Sequence, residues 1–242
     1  RRAGRALTVA DQLTSRSPQD PSDVVVTVAD VGRDGVGRAT DRARAAQVGW
    51  AATPFDRSAA LGRCADALAQ AAPEITDLVV REVGKPRAEA RGEVARGVAI
   101  LRYFAQDALL PTGQVFPAAG PGTWLQTHRR PLGVAGLITP WNFPVAIPLW
   151  KAAPALAHGN AVVLKPAPQS PAVALRLAEL FAGLLPDGVF QVVPGGAEAG
   201  SAVAELTDVV SFTGSAAAGA HVRRAAAERG VPVQCEMGGS NA

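Results

Sequence analysis

Cysteine is almost absent: Cys64 and Cys235 stand far apart with no CxxC spacing, which excludes a disulfide framework and a zinc site. No other metal site is expected. Lysine is nearly as scarce, occurring only at positions 85, 151 and 165, so arginine carries the basic charge. Those arginines alternate with acids along helix-like stretches, and 24 basic against 21 acidic residues leave a net charge of only +3. Without a basic stripe, nucleic acid is not an expected partner. No apolar run reaches the ~20 residues that span a bilayer. The basic start, Arg1-Arg2-Ala3-Gly4-Arg5, runs into polar chain with no signal-peptide core. A soluble, cytoplasmic protein is the expectation. The first residue is Arg, not Met, so the N-terminus is expected to be cut. GxGxxG and GxxxxGK[ST] are both missing, which removes the usual dinucleotide fingerprint and the P-loop.

What is present is an ordinary globular balance, 48% hydrophobic and 19% charged residues, enough to bury a core. Residues 1–37 read as an irregular lead-in with one strand, Val24-Val25-Val26-Thr27-Val28. From about residue 40 to 110 the pattern is helical. Thr53-Pro54 suits a helix start, Gly84 with Pro86 a helix end, and Val94, Val98, Leu101 and Ala105 form one apolar stripe. Residues 111–131 are broken by Pro111, Gly113, Pro117, Gly120, Pro121 and Gly122, and 124–130 read as an extended, half-exposed strand. A β-hairpin arm is expected there.

From 132 onward short apolar runs at 133–139, 161–165, 190–193, 208–212 and 231–236 alternate with helix-length stretches at 144–158, 170–183, 197–206 and 215–229. Such alternation predicts an α/β fold, a doubly wound, five-stranded parallel sheet of Rossmann-like type. The expected division is 1–110 as strand and helices packed on the sheet, 111–131 as the arm, and 132–242 as βα units. Ligands bind such sheets beyond the carboxyl ends of the strands.

The polar motifs fall there, and each has a plain alternative. Gly195-Gly196 is a phosphate-side turn or a tight βα connection. In Phe212-Thr213-Gly214-Ser215 the hydroxyl and free N–H groups suit a diphosphate at a helix N-terminus, or Ser215 only caps its helix. Lys165, before Pro166, is a ribose ligand or a solvated lysine. In Pro140-Trp141-Asn142-Phe143-Pro144 the Asn142 amide can stabilise an oxyanion, or the segment is a rigid turn around a buried Trp. Glu236 is a general base raised by burial, or a carboxylate paired with an arginine.

The joint order PWNFP, KPA, FTGS and E-x-GG resembles the aldehyde dehydrogenase superfamily over roughly residues 40–242, most strongly from 133. The resemblance implies NAD- or NADP-dependent oxidation of a small aldehyde to an acid through a cysteine thioester. Asn142 would hold the oxyanion and Glu236 would activate the hydrolytic water. Lys165 would meet the adenosine ribose, and Gly195, Gly214 and Ser215 would line the diphosphate path. Thr139, Pro140, Trp141, Ala167, Pro168, Gly200, Phe212, Thr213, Gly219, Met237 and Gly238 would complete the cofactor cleft. Residues 111–130 would be an oligomerisation arm, implying a homodimer or homotetramer.

Three departures qualify it. Pro168 stands where many members carry Glu, which predicts tolerance of NADP. Ser240 stands where Lys usually follows the glycine pair. The family's nucleophilic cysteine would lie beyond residue 242, so the isolated chain is expected to be inactive, a truncated NAD(P)-binding or interaction module being the other reading. An acyl-transferring relative that uses phosphate or coenzyme A is a third. Cys235 and Cys64 read as packing residues. Tyr103, Phe104 and Trp150 are read as substrate-tunnel or core aromatics.

Overall fold

The computed structural model describes residues 12–118 and 120–239; Ser240 lies outside them. The β-branched run forms β2 (Val24–Ala29), paired antiparallel with β1 (Gln12–Arg16). The expectation of a single strand in the lead-in is thereby corrected. β1 is the polar segment Gln-Leu-Thr-Ser-Arg and buries little beyond Ser15, so it lacks the apolar alternation that marks a strand.

Four helices follow: α1 (Gly32–Trp50), α2 (Pro54–Gln70), α3 (Ala72–Val83) and α4 (Arg87–Asp107). Thr53 is extended (φ −126°) ahead of Pro54, yet its hydroxyl makes no capping bond. Gly84 ends α3 in the left-handed conformation, φ 69°, which only glycine adopts without strain. The arm is a ribbon of β3 (Val115–Phe116) and β4 (Leu125–Gln126), with all four residues exposed. The strand expected over 124–130 shrinks to two residues, because no third strand or core face supports it.

The remaining chain alternates β5 (Val134–Ile138), α5 (Ala146–Ala157), β6 (Ala161–Lys165), α6 (Pro171–Phe181), β7 (Phe190–Val192), α7 (Ala197–Leu206), β8 (Val209–Gly214), α8 (Ala216–Arg229) and β9 (Val233–Met237). All strands are parallel, in the order β7-β6-β5-β8-β9. Every residue of β5 and β6 is buried, as a strand covered on both faces requires. Ala135, Leu137, Val162 and Leu164 point into a core built with α2 to α6. Val134, Ile138, Val163, Val210 and Phe212 point the opposite way, into a core with α1, α7 and α8. Over β8 and β9 the α5 side of the sheet is polar: Ser211 and Thr213 are half-buried, Gln234 and Glu236 exposed.

Candidate active site and cofactor cleft

Strand order reverses between β5, which leads outward to β6, and β8, reached by returning from β7. Ligands collect at such a switch point. Thr139, just past β5, donates its backbone N–H to Lys165 O at 3.2 Å. The residue is 3% exposed, and its hydroxyl is the one buried side-chain polar atom without a partner among the described residues. Leaving a buried hydroxyl unpaired costs about 1–3 kcal/mol, so the atom marks a place where a ligand or water belongs. Beyond Pro140, Trp141 is 51% exposed, which removes the alternative of a turn built around a buried Trp. Asn142 is exposed and makes no hydrogen bond among the described residues.

Lys165 is not a solvated lysine. Only 6% exposed, it folds its ammonium back to donate to Pro166 O at 2.6 Å and Gly195 O at 2.8 Å. Burial pushes its pKa down to about 8, partly offset by the Asp30 carboxylate. An ammonium has three donors, so one remains for a ligand. A side chain at Gly195 would put its Cβ 2.3 Å from Ala199 Cβ, so no other residue fits. Gly200 lies along the Lys165 stem, where a Cβ would be 3.6 Å from Cδ. Thr139, Lys165, Gly195 and Gly200 are thus one group. Ala167 is buried, while Pro168 and Trp141 line a cleft of about 400 Å³ shared with Ser15, Arg16, Glu82 and Gln169.

A second group forms at the ends of β8 and β9. Phe212 is 3% exposed; a Cβ at Gly214 would lie 2.6 Å from its ring, and one at Gly219 2.5 Å from Met237 Sδ. These glycines let the α8 start close down on Phe212 and Met237. Ser215 Oγ accepts only a long 3.4 Å bond from Ala218 N–H, and residues 215–218 are all exposed. Parallel register sets Thr213 beside Glu236 and Gly214 beside Met237; exposed Gly238 follows.

Glu236 is exposed, correcting the expected burial, and it pairs with no arginine among the described residues. It sits on an edge strand whose α5 side is uncovered, and Gln234 Nε2 donates to it at 3.3 Å. Cys235 faces the opposite side, half-buried against α8, where burial pushes its thiol pKa up. Cys64 is fully buried and pushed up to about 12. Neither is a ready thiolate. Tyr103 and Trp150 are exposed and Phe104 half-buried, with Tyr103 edge-on to Phe104 at 5.0 Å.

Sequence reasoning missed four residues here. Glu93 accepts from the Val145 and Ala146 N–H groups at 2.8 and 3.0 Å, and its other oxygen meets the Lys85 ammonium at 2.5 Å. Glu82 accepts from Ala172 and Val173 N–H at 2.8 and 2.9 Å. Asp30 accepts from Gly196 N–H at 3.0 Å. Lys151, on α5, donates to Ser211 Oγ at 2.7 Å. The one available signal was indirect: α5 opens at Val145 with no side chain able to cap it.

The family model described as "Aldehyde dehydrogenase family" matches residues 8–242. The chain belongs to the aldehyde dehydrogenase family. Among curated aldehyde dehydrogenases it is 46% identical to the α-ketoglutarate semialdehyde dehydrogenase of Haloferax volcanii, covering 93% of this chain and 48% of the relative. With the α-ketoglutaric semialdehyde dehydrogenase of Bacillus subtilis it shares 43% identity, over 96% of this chain and 48% of the relative. PnpE from Pseudomonas sp. WBC-3, also solved in complex with nicotinamide adenine dinucleotide, superposes with a TM-score of 0.92 at 35% identity, covering 99% of this chain and 50% of PnpE. The chain therefore spans about half the length of the curated aldehyde dehydrogenases it matches. No helix among the described residues is long and apolar enough to cross a membrane.

Proposed function

We propose that these residues form the dinucleotide-binding part of an enzyme that oxidises an aldehyde to a carboxylic acid with NAD or NADP. The observation that carries the reading is the start of α8, closed only by Ser215 and set just past β8, beside strands β5 and β6 whose ends hold Thr139 with an unpaired hydroxyl and Lys165 with a spare donor. Free N–H groups at a helix N-terminus favour a diphosphate. Gly195, Gly214 and Gly219 keep side chains out of its path. The bound dinucleotide supplies hydride acceptance; the residues of this chain bind it, with Lys165 at the ribose and Ser215 at the diphosphate. PnpE, solved with that dinucleotide, supports the assignment.

Asn142, exposed and free of other bonds, is proposed to donate to the oxyanion, and Glu236 to take a proton from the hydrolytic water. With both thiols raised in pKa, the nucleophilic thiolate is proposed to come from outside residues 1–242. The chain alone then binds cofactor without turnover. Exposed Val115, Phe116, Trp124 and Leu125 support an arm that pairs subunits into a dimer or tetramer. A cytoplasmic setting agrees with two unpaired cysteines.

Calorimetric titration of the folded chain with NAD and NADP, and turnover of α-ketoglutarate semialdehyde by the complete gene product, test the reading. Binding of at least one dinucleotide is expected; binding of neither overturns it. Pro168 adds no charge beside the ribose, so NADP is expected to be used as well. A several-hundredfold preference for NAD in kcat/KM counts against that.

A further inference from the structure

A line of hydrogen bonds crosses the open side of β8 and β9. Lys151 Nζ donates to Ser211 Oγ at 2.7 Å, Ser211 Oγ donates to Gln234 Oε1 at 2.9 Å, and Gln234 Nε2 donates to Glu236 Oε1 at 3.3 Å. Two features make this more than a cross-strand polar pair. Every donor points the same way, from the cation to the anion. The charged ends therefore settle which way the serine hydroxyl and the glutamine amide must turn. The placement is also fixed by backbone: Ser211 and Gln234 are register partners on adjacent parallel strands, and Gln234 and Glu236, two residues apart, share one face. Lys151 and Glu236 make no direct ion pair among the described residues, so the link runs through the two neutral groups. Lys151 is tied down further by Phe212 O at 3.5 Å.

We propose that Ser211 and Gln234 are positioning residues that hold the Glu236 carboxylate in a set orientation by joining it to the anchored Lys151 ammonium. An exposed glutamate on an edge strand otherwise samples several rotamers, and only some of them face a substrate carbonyl beyond the strand ends. The proposal rests on the reading of Glu236 as the base. Burial pushes the pKa of Lys151 down, while Glu236 and Cys235 pull it back up, in keeping with a carboxylate held near the ammonium. On the other sheet face, Cys235 looks toward α8 and Arg223, away from the line.

The test uses the complete gene product and the variants Q234L, S211A and S211T. Gln234 does not touch Lys151, so Lys151 titration, followed by NMR with isotope-labelled lysine and assigned by loss of its signal in K151M, reports transmission along the line. In Q234L and S211A, kcat for aldehyde oxidation is expected to fall about ten-fold with the dinucleotide KM unchanged. The Lys151 pKa should fall as well, as it should in E236Q. S211T, which keeps the hydroxyl, should restore both. A kcat within about two-fold of the parent in Q234L, or an unmoved Lys151 titration, overturns the proposal. If the unmodified protein oxidises no aldehyde, the dehydrogenase reading fails separately, and the lysine titration alone then decides whether the line exists.

Discussion

Helices α5, α6 and α7 begin against carboxylates sent from the N-terminal part of the chain, whereas α8 begins against solvent. Glu93 closes the first and Glu82 the second, each accepting two backbone N–H groups at 2.8–3.0 Å, and Asp30 meets the third through one, from the N-cap residue Gly196, at 3.0 Å. At α8 only Ser215 caps, through a 3.4 Å bond. A helix N-terminus carries partial positive charge and unpaired donors, so an anion there is stabilising. Where the protein supplies that anion, the position is filled and no phosphate can enter. Where it supplies only a neutral hydroxyl at long range, donors stay available, and that helix is the one beside Gly214 at the switch point. Three closed helix starts also tie the N-terminal helices to the sheet, so the same residues that deny ligands their positions join two layers of the fold.

The largest effect is expected from breaking a closed start. Glu93 is 1% exposed on its side chain and its partner Lys85 is 9% exposed. Glu93→Ala leaves a buried ammonium unpaired and two N–H groups orphaned, which costs about 3–5 kcal/mol. Chemical denaturation reads this as a lower midpoint, and a loss under about 1 kcal/mol would show that water replaces the carboxylate. Closing the open start is the reverse experiment. Ser215→Asp should raise the dissociation constant of NAD(P) about 100-fold by like-charge repulsion. It should stabilise the helix by about 0.5 kcal/mol. Ser215→Asn, a neutral cap of similar size, should leave binding within a few-fold of the parent. Equal binding by both variants would mean that no phosphate meets α8.

The two kinds of start also separate what the sequence shows from what it hides. Apolar runs at 133–139 and 161–165 announced strands buried on both faces, because a parallel strand covered by helices has no polar side. The rim residues were legible as motifs because their backbone demands are local: Gly195 and Gly214 are glycines owing to Ala199 and Phe212 close by in sequence. Their electrostatic state was not legible. Lys165 is buried by folding onto Gly195 O, 30 residues on, and Glu93 reaches a helix start 52 residues away. Glu236 was expected inside because it ends an apolar run, but β9 proved to be an edge strand with one side open. Strand order, which no single segment encodes, decides that. β1 went unseen for a related reason, its pairing being set by β2 and not by its own polar residues.

The smallest expected effect tests which force rules a closed start. Burial pushes the Glu82 pKa above its ordinary 4.5, against the opposing pull of the Val173 and Ala172 N–H groups. A carboxyl whose folded pKa is raised contributes stability that is fully present below the unfolded pKa and is lost as pH rises through the folded one. Glu82→Gln cannot titrate and accepts one N–H instead of two, so it should cost about 1 kcal/mol under acidic conditions. The gap between parent and variant should then narrow as pH rises from about 4 to about 7. Urea midpoints of both proteins across that range measure the slope. A gap that widens instead would mean that the two helix N–H bonds outweigh desolvation at the start of α6.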